Sequence, residues 1–266
     1  MLIIKMASTA SFQYRPLLND DGIRLIELEP NPDLNAKIEC SLIHTTLNEY
    51  DHDLINHHTA LSYVWGDAIT TTTVLVEGLA FFVTLNLDTA LRYLRDPTRK
   101  FLIWAYAMCI NQLDDEEKGR QVRQMRDVYR NATHTIIVLG EPTKNSNAIL
   151  SAVRSSSTGK GNHEALPWHD VLTRPWFQRV WVYQELFFSR DPWVRCGRAR
   201  VRWETLHKAV KALKQASRHV HPWKELLIME EAKQRISKQS DHRSLSFVFN
   251  LLGILDDRRG LGVLNA

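Results

Sequence analysis

In this 266-residue chain, Glu185 is the residue whose type and surroundings most suggest chemistry. It lies in Arg174–Ser189, RPWFQRVWVYQELFFS, which reads as a helix. Pro175 suits the first helical position, and no Gly or Pro follows until Pro192. On a 3.6-residue repeat, Phe177, Trp181, Glu185 and Phe188 share one stripe, so a carboxylate stands among aromatic rings. Its neighbours three and four residues away are Trp181, Val182, Phe188 and Ser189, which leaves no Lys or Arg to pair with it along the helix. A carboxylate buried without a local cation has a raised pKa, the usual preparation for acid–base or nucleophilic work. The plainer reading is a Glu at the edge of an apolar stripe that reaches water or meets a cation from another element.

Other chemistries find less support. Eleven His are present, but no G-x-S-x-G elbow accompanies them. Cys40, Cys109 and Cys196 are isolated and odd in number, which suits neither a disulfide framework nor a CxxC metal site. Cys109 follows an apolar run and reads as a structural thiol. His52, His57 and His58, like His163 and His169, lack metal-site spacing, so no metal is expected. Walker A and GxGxxG loops are absent. The net charge of +4 is spread along the chain, and the basic runs at 195–202 and 208–214 are short. They read as solvated faces rather than a nucleic-acid surface. With 44% hydrophobic and 24% charged residues the composition is that of a soluble globular domain. Leu2–Ile4 is too short for a secretory leader and no apolar run reaches membrane-spanning length, so a cytoplasmic location without membrane contact is expected.

The elements that must position Glu185 follow from periodicity. Residues 1–13 read as a flexible start. YRPLLNDDGIRLIELE, from Tyr14, holds two short strand candidates around a turn at Asn19–Gly22. TALSYVWG (59–66) is a nearly continuous apolar run that stops at Gly66-Asp67, as a strand buried on both faces of a parallel sheet does. Val74–Val83 reads as a hairpin turning at Glu77-Gly78. Asn86 is placed to cap a helix that ends at Asp96-Pro97. FLIWAYAM (101–108) reads as a second buried strand, and Asp114 with Glu117 has capping-box spacing for the helix after it. HTIIVLG (134–140) is a third buried strand. Asn145–Arg154 reads as a short helix, Ser155–Asn162 as a flexible loop and Trp193–Cys196 as a further strand. The alternation of strand and helix predicts an α/β fold with a parallel sheet and right-handed crossovers, Arg174–Ser189 being the third crossover. After Val201 three amphipathic helices are expected: from Trp203 to Leu213, Lys224–Ile236 and Leu245–Leu255. Ser62, Trp65 and Asp67 after the first buried strand, Asn111, Gln112 and Asp114 after the second, and Arg179 with Glu185 then converge on one cleft at the strand ends.

ALSYVWG at 60–66, W-x-x-A-x-C-I-N-Q from Trp104 to Gln112, E-K-x-x-Q-V-x-x-M-x-x-V-Y from Glu117 to Tyr129 and R-x-W-F-x-R-x-W-V-x-Q-E from Arg174 to Glu185 resemble the heterokaryon incompatibility (HET) domain of filamentous fungi. The likeness spans residues 14–200 and leaves 201–266 as a helical extension. It implies a flavodoxin-like fold related to the Toll/interleukin-receptor (TIR) domain, and a role in allorecognition and programmed cell death through a protein partner or self-association. Many TIR domains cleave NAD with a Glu four residues after a Trp, the spacing of Trp181 and Glu185. The resemblance therefore also implies an alternative role as an NAD glycohydrolase, with NAD as substrate and no required cofactor. In that role Glu185 would be catalytic, and Ser62, Tyr63, Trp65, Gly66, Tyr106, Asn111 and Trp181 would line the nucleotide site. The chain departs from the family at Tyr106, where an acidic residue is usual, at Lys118 in place of Arg and at Ser244 in place of a second acidic residue. A tyrosine cannot supply the missing charge.

Overall fold

The computed structural model describes residues 11–52, 58–155, 165–179, 181–216, 229–231 and 233–234. The chain first forms β1 (Gly22–Leu28), β2 (Glu39–Thr46) and α1 (Leu47–His52), then β3 (Thr59–Tyr63) and the hairpin β4 (Thr71–Val76) and β5 (Leu79–Thr84). Next come α2 (Leu85–Leu94), β6 (Phe101–Trp104), α3 (Tyr106–Cys109), α4 (Asp115–Asn131) and β7 (His134–Val138). α5 (Lys144–Ser155), α6 (His169–Leu172), a 3₁₀ turn at Pro175–Gln178 and α7 (Val182–Phe188) lead to β8 (Pro192–Cys196), β9 (Ala199–Arg202) and α8 (Trp203–Ala216).

One nine-stranded sheet runs β5-β4-β2-β1-β6-β3-β7-β8-β9. Four adjacent strands, β6, β3, β7 and β8, are mutually parallel, and all five residues of β3 are buried. The α/β architecture with parallel buried strands expected from the sequence is present, set within a mixed sheet. β1 runs antiparallel to both β2 and β6, and β4–β5 and β8–β9 are antiparallel pairs. Tight turns force the latter two, since only long crossovers can join parallel neighbours. At Glu77-Gly78 both residues have positive φ, 52° and 79°, the backbone of a two-residue hairpin turn. The parallel strands are laid down in the order second, first, third, fourth, so the chain reverses direction of travel between β3 and β7. Right-handed crossovers then place α2 on one face of the sheet and α4 and α7 on the other, and α4 packs on α7.

Four local expectations change. β6 ends at Trp104, and Tyr106–Cys109 is a short helix rather than more strand, with the Ala105 amide directed at Cys109 Sγ, 3.3 Å away. Asn86 lies inside α2 and its amide donates to Val64 O at 3.2 Å; the helix is entered from Thr84. Residues 12–18 form no strand: Tyr14 packs edge-on against Phe12 and Phe81 and donates its hydroxyl to Met108 O at 3.0 Å. The single helix expected at Arg174–Ser189 is a 3₁₀ turn and α7, separated at Arg179, which is extended. Residues 1–10, the loop from 156 to 162, most of Lys224–Ile236 and all of Leu245–Leu255 lie outside the described residues.

β1 is buried at every position but Glu27, and among its buried side chains is Arg24. Arg24 meets Glu117 of α4 with two bonds, Nη1–Oε1 2.6 Å and Nη2–Oε2 2.9 Å, and also donates to Cys109 O and Arg15 O. Asp114 caps α4 by accepting from Glu117 N at 2.9 Å, but Glu117 does not return to complete a capping box. Its carboxylate turns to Arg24 and to the Asn111 amide, 2.8 Å away. Burial pushes the Glu117 carboxyl up, and Arg24 with the Asn111 amide outweighs it, so the group titrates below its ordinary value. Removing one partner strands a buried charge. Arg24→Ala or Glu117→Ala lowers the free energy of unfolding by about 3–5 kcal/mol in urea titrations, and the paired replacement Arg24→Met with Glu117→Leu restores most of it. The contribution is complete above the ordinary carboxylate pKa and is lost as pH falls through the depressed folded value, so Glu117→Gln flattens the acid limb of the stability curve.

Candidate functional site at the end of strand β3

Where β3 ends, three side chains, Ser62, Trp176 and Arg179, gather around one buried carboxylate. Glu185, on the first turn of α7, is 4% exposed. Ser62, 1% exposed, donates its hydroxyl to Glu185 Oε2 in a very short bond. The Ser62 oxygen in turn accepts from Trp176 Nε1 at 2.7 Å, which fixes the direction of its own proton toward the carboxylate. Arg179 donates to Tyr63 O at 2.5 Å and stands 3.8 Å from Glu185 Oε2. These contacts account for the interrupted helix. Trp176 and Arg179 both reach back to β3, and a continuous helix through Arg179 would carry one of them away. Glu185 N still bonds to Trp181 O at 3.3 Å, so Trp181 stands at the entrance of α7, half-buried.

Burial pushes the Glu185 carboxyl above its ordinary value, and Arg179 and the Ser62 hydroxyl pull it only part of the way back. The cation absent along the helix comes from six residues upstream, and at 3.8 Å it is a looser partner than Arg24 is for Glu117. Tyr63 and Tyr129 are buried beside the cluster; Tyr129 donates to Leu61 O at 3.1 Å, and burial raises both phenols.

The other residues singled out in the sequence form separate groups. Trp65 meets Tyr106 edge-on, with ring centroids 5.7 Å apart, and both are half-buried. Gly66 has φ +85°, and a Cβ there would stand 2.6 Å from the Asn86 amide nitrogen. Asn111 serves the start of α4, with its backbone on Glu117 and its side chain accepting from Leu113 N at 3.2 Å. Gln112 ties Tyr106 O and Ile110 O. Asp67 holds its own loop through Ile69 N and Thr70. Trp176 was not singled out from the sequence; a tryptophan in an aromatic-rich stretch carries no mark that its indole N–H serves a serine 114 residues away. Arg174 is a second such residue, bracing the loop after β7 through Leu139 O and Glu141 O. Among the described residues there is no cluster of three metal-ligating side chains and no helix long and apolar enough to cross a membrane.

The fold is thus an α/β domain with a buried serine–carboxylate–arginine cluster at the carboxyl end of its first parallel strand. Residues 58–185, from the start of β3 to Glu185 itself, match the family described as heterokaryon incompatibility protein (HET). It is 28% identical over 231 residues to heterokaryon incompatibility protein 6, OR allele, of Neurospora crassa, with 66% of this chain and 33% of that protein covered. The chain therefore spans about a third of that relative's length. No solved structure matches.

The folded state binds the Glu185 proton more tightly than the unfolded chain does. Its contribution therefore falls as pH rises from the ordinary carboxylate pKa through the raised folded value. Glu185→Gln removes that decline and keeps a partner for Ser62, so its urea stability at neutral pH equals or exceeds that of the parent. Arg179→Ala leaves the carboxylate without its cation and lowers stability by about 2 kcal/mol at neutral pH, with the loss shrinking on acidification.

Proposed function

We propose that this chain acts in heterokaryon incompatibility, as a HET-type signalling domain whose output is regulated cell death triggered by a protein partner or by self-association. The support is that the matched segment contains all of the strand-end cluster, from Ser62 to Glu185, so the family likeness and the buried polar centre coincide. The relative from Neurospora carries incompatibility in its name, and 33% of it is matched, so this support extends to that segment alone.

A second reading, hydrolysis of NAD at the nicotinamide–ribose bond, is favoured by Glu185 in particular. It is a buried carboxyl with a raised pKa, on the third crossover, four residues after Trp181. The strand order second-first-third-fourth, which flavodoxin-like sheets share, supports a TIR-like relation. In this reading Glu185 stabilises the oxocarbenium-like transition state as nicotinamide leaves, and water adds to the ribose carbon to give ADP-ribose and a proton. Trp65 or Trp181 supplies the stacking ring. Because Glu185 is 4% exposed, substrate entry requires Arg179 to leave Tyr63 O, a change that self-association would drive.

One pair of measurements separates the readings. The protein, concentrated or artificially oligomerised, is assayed for nicotinamide release from NAD alongside Glu185→Gln, and both are expressed in cells to score death. The enzymatic reading expects release that drops by about 100-fold or more in the variant, with loss of death. NAD left intact by the parent, with death retained in the variant, defeats the enzymatic reading and leaves the interaction reading standing. Absence of death with both proteins defeats the signalling proposal itself.

A further inference from the structure

β8 and β9 end the sheet, and their fully buried residues all lie on one face. Val194, Cys196 and Val201 point into the core shared with α5 and α8. The alternate residues point the other way: Trp193 and Arg195 from β8, and Arg200 and Arg202 directly across from them on β9. Arg195 Nη2 reaches Tyr93 O near the end of α2, which places this second face on the α2 side of the sheet. Arg200 and Arg202 are exposed there, and Arg198 is exposed in the turn that joins the two strands.

The charge on this face is poorly neutralised. Asp191 is its carboxylate, and it already accepts from Arg202 Nη1 at 2.9 Å, Trp193 Nε1 at 2.9 Å and His134 Nδ1 at 2.8 Å. Glu141, on the loop beside Tyr93, is taken by the hydroxyls of Thr89 and Tyr93. Among the described residues no carboxylate pairs with Arg195, Arg198 or Arg200. Burial, followed by the charges of Arg200 and Arg198, pushes the Arg195 guanidinium down to about 10. A fold that holds three guanidinium groups near one another without a counter-ion maintains a local positive field, which fits a docking surface for an anion.

The occupant follows from spacing and from what the aromatic ring is already doing. Arg200 and Arg202 alternate along β9, ~6.6–6.8 Å apart, the interval at which alternate side chains of a second extended chain recur, and Arg198 precedes them in the turn. The Trp193 ring, which a nucleobase would need as a stacking surface, already has Arg202 at 4.8 Å and Arg200 at 5.4 Å from its centroid, and its N–H is spent on Asp191. We propose that the arginine-bearing face of β9 and the turn before it docks an extended protein segment bearing acidic side chains at alternate positions, with Arg198, Arg200 and the outer edge of Arg202 as its recognition groups. This goes beyond the reading of Glu185 and holds whether or not that residue cleaves NAD.

The test is fluorescence anisotropy on the full chain with a labelled peptide alternating Glu and Val, a matched peptide alternating Lys and Val, and a single-stranded oligonucleotide. The Glu peptide is expected to bind, to release as ionic strength passes about 0.3 M, and to lose about tenfold or more in affinity with Arg198→Glu plus Arg200→Glu. Arg200→Gln gives a smaller loss, and Lys208→Glu, exposed on α8, leaves affinity within about twofold. An unchanged thermal midpoint shows that the exposed substitutions leave the fold intact. No binding of the Glu peptide by the parent, equal binding by the doubly reversed variant, or preferential binding of the oligonucleotide overturns the proposal.

Discussion

The Arg24–Glu117 pair takes two opposite charges out of water and ties β1 to α4, the longest helix among the described residues. Because Glu117 also accepts the Asn111 amide, the same contact fixes the connection between β6 and α4. That connection carries Tyr106, whose carbonyl is held by Gln112 and whose ring meets Trp65 after β3. One ion pair thus sets where the loops of two neighbouring parallel strands lie. Such a pair contributes little when compared with well-packed apolar side chains, but it allows no other register: β1 shifted by one residue would point Arg24 to the opposite face and leave Glu117 without its cation.

Glu185 is compensated differently, and the contrast locates the reactive potential of the fold. Glu117 receives a two-point guanidinium contact and titrates low. Glu185 receives a serine hydroxyl and a guanidinium at 3.8 Å that is already engaged with a carbonyl, and it titrates high. Both carboxylates are shielded from water, Glu185 the more deeply, and the quality of the counter-ion adds to that difference. A carboxylate held loosely, with its neighbouring hydroxyl oriented by an indole N–H, is the one whose charge a ligand or a rearrangement of Arg179 can change.

The buried strands were legible because parallel strands covered on both faces read as unbroken apolar runs, as in TALSY and HTIIV. The turn at Glu77-Gly78 was legible because Gly78 supplies the positive φ that its second position needs. Asn86 misled because a capping residue type can equally serve a distant carbonyl, here Val64 O. The break at Arg179 left no local mark: no Gly or Pro stands there, and the interruption is imposed by tertiary bonds from Trp176 and Arg179 to β3. The placement of Glu185 within the chain could be read, along with the absence of a cation on its own helix turn. The cation's true source, upstream in sequence but adjacent in space, could not.

Arginine usage also explains why net charge is a poor guide to this molecule's surface. Arg92 and Arg95 hold the loop before β2 through the carbonyls of Leu34, Ala36 and Lys37. Arg174 braces the loop after β7, Arg179 meets β3 and Arg195 reaches α2, each through backbone oxygens. A planar guanidinium with five donors can satisfy several orphaned carbonyls at strand and helix ends, which a lysine cannot. Part of the chain's formal charge is therefore structural: Arg95 and Arg195 are bound to neutral acceptors, which leaves their field in place, whereas Arg92, Arg174 and Arg179 also meet Asp88, Asp170 and Glu185. The field consequently persists where several arginines gather, and it does so on the arginine-bearing side of β8 and β9, where Asp191 is already saturated by three donors. A chain with a net charge of only +4 can carry a concentrated basic face for this reason: its arginines were placed by backbone geometry, and its carboxylates were placed elsewhere.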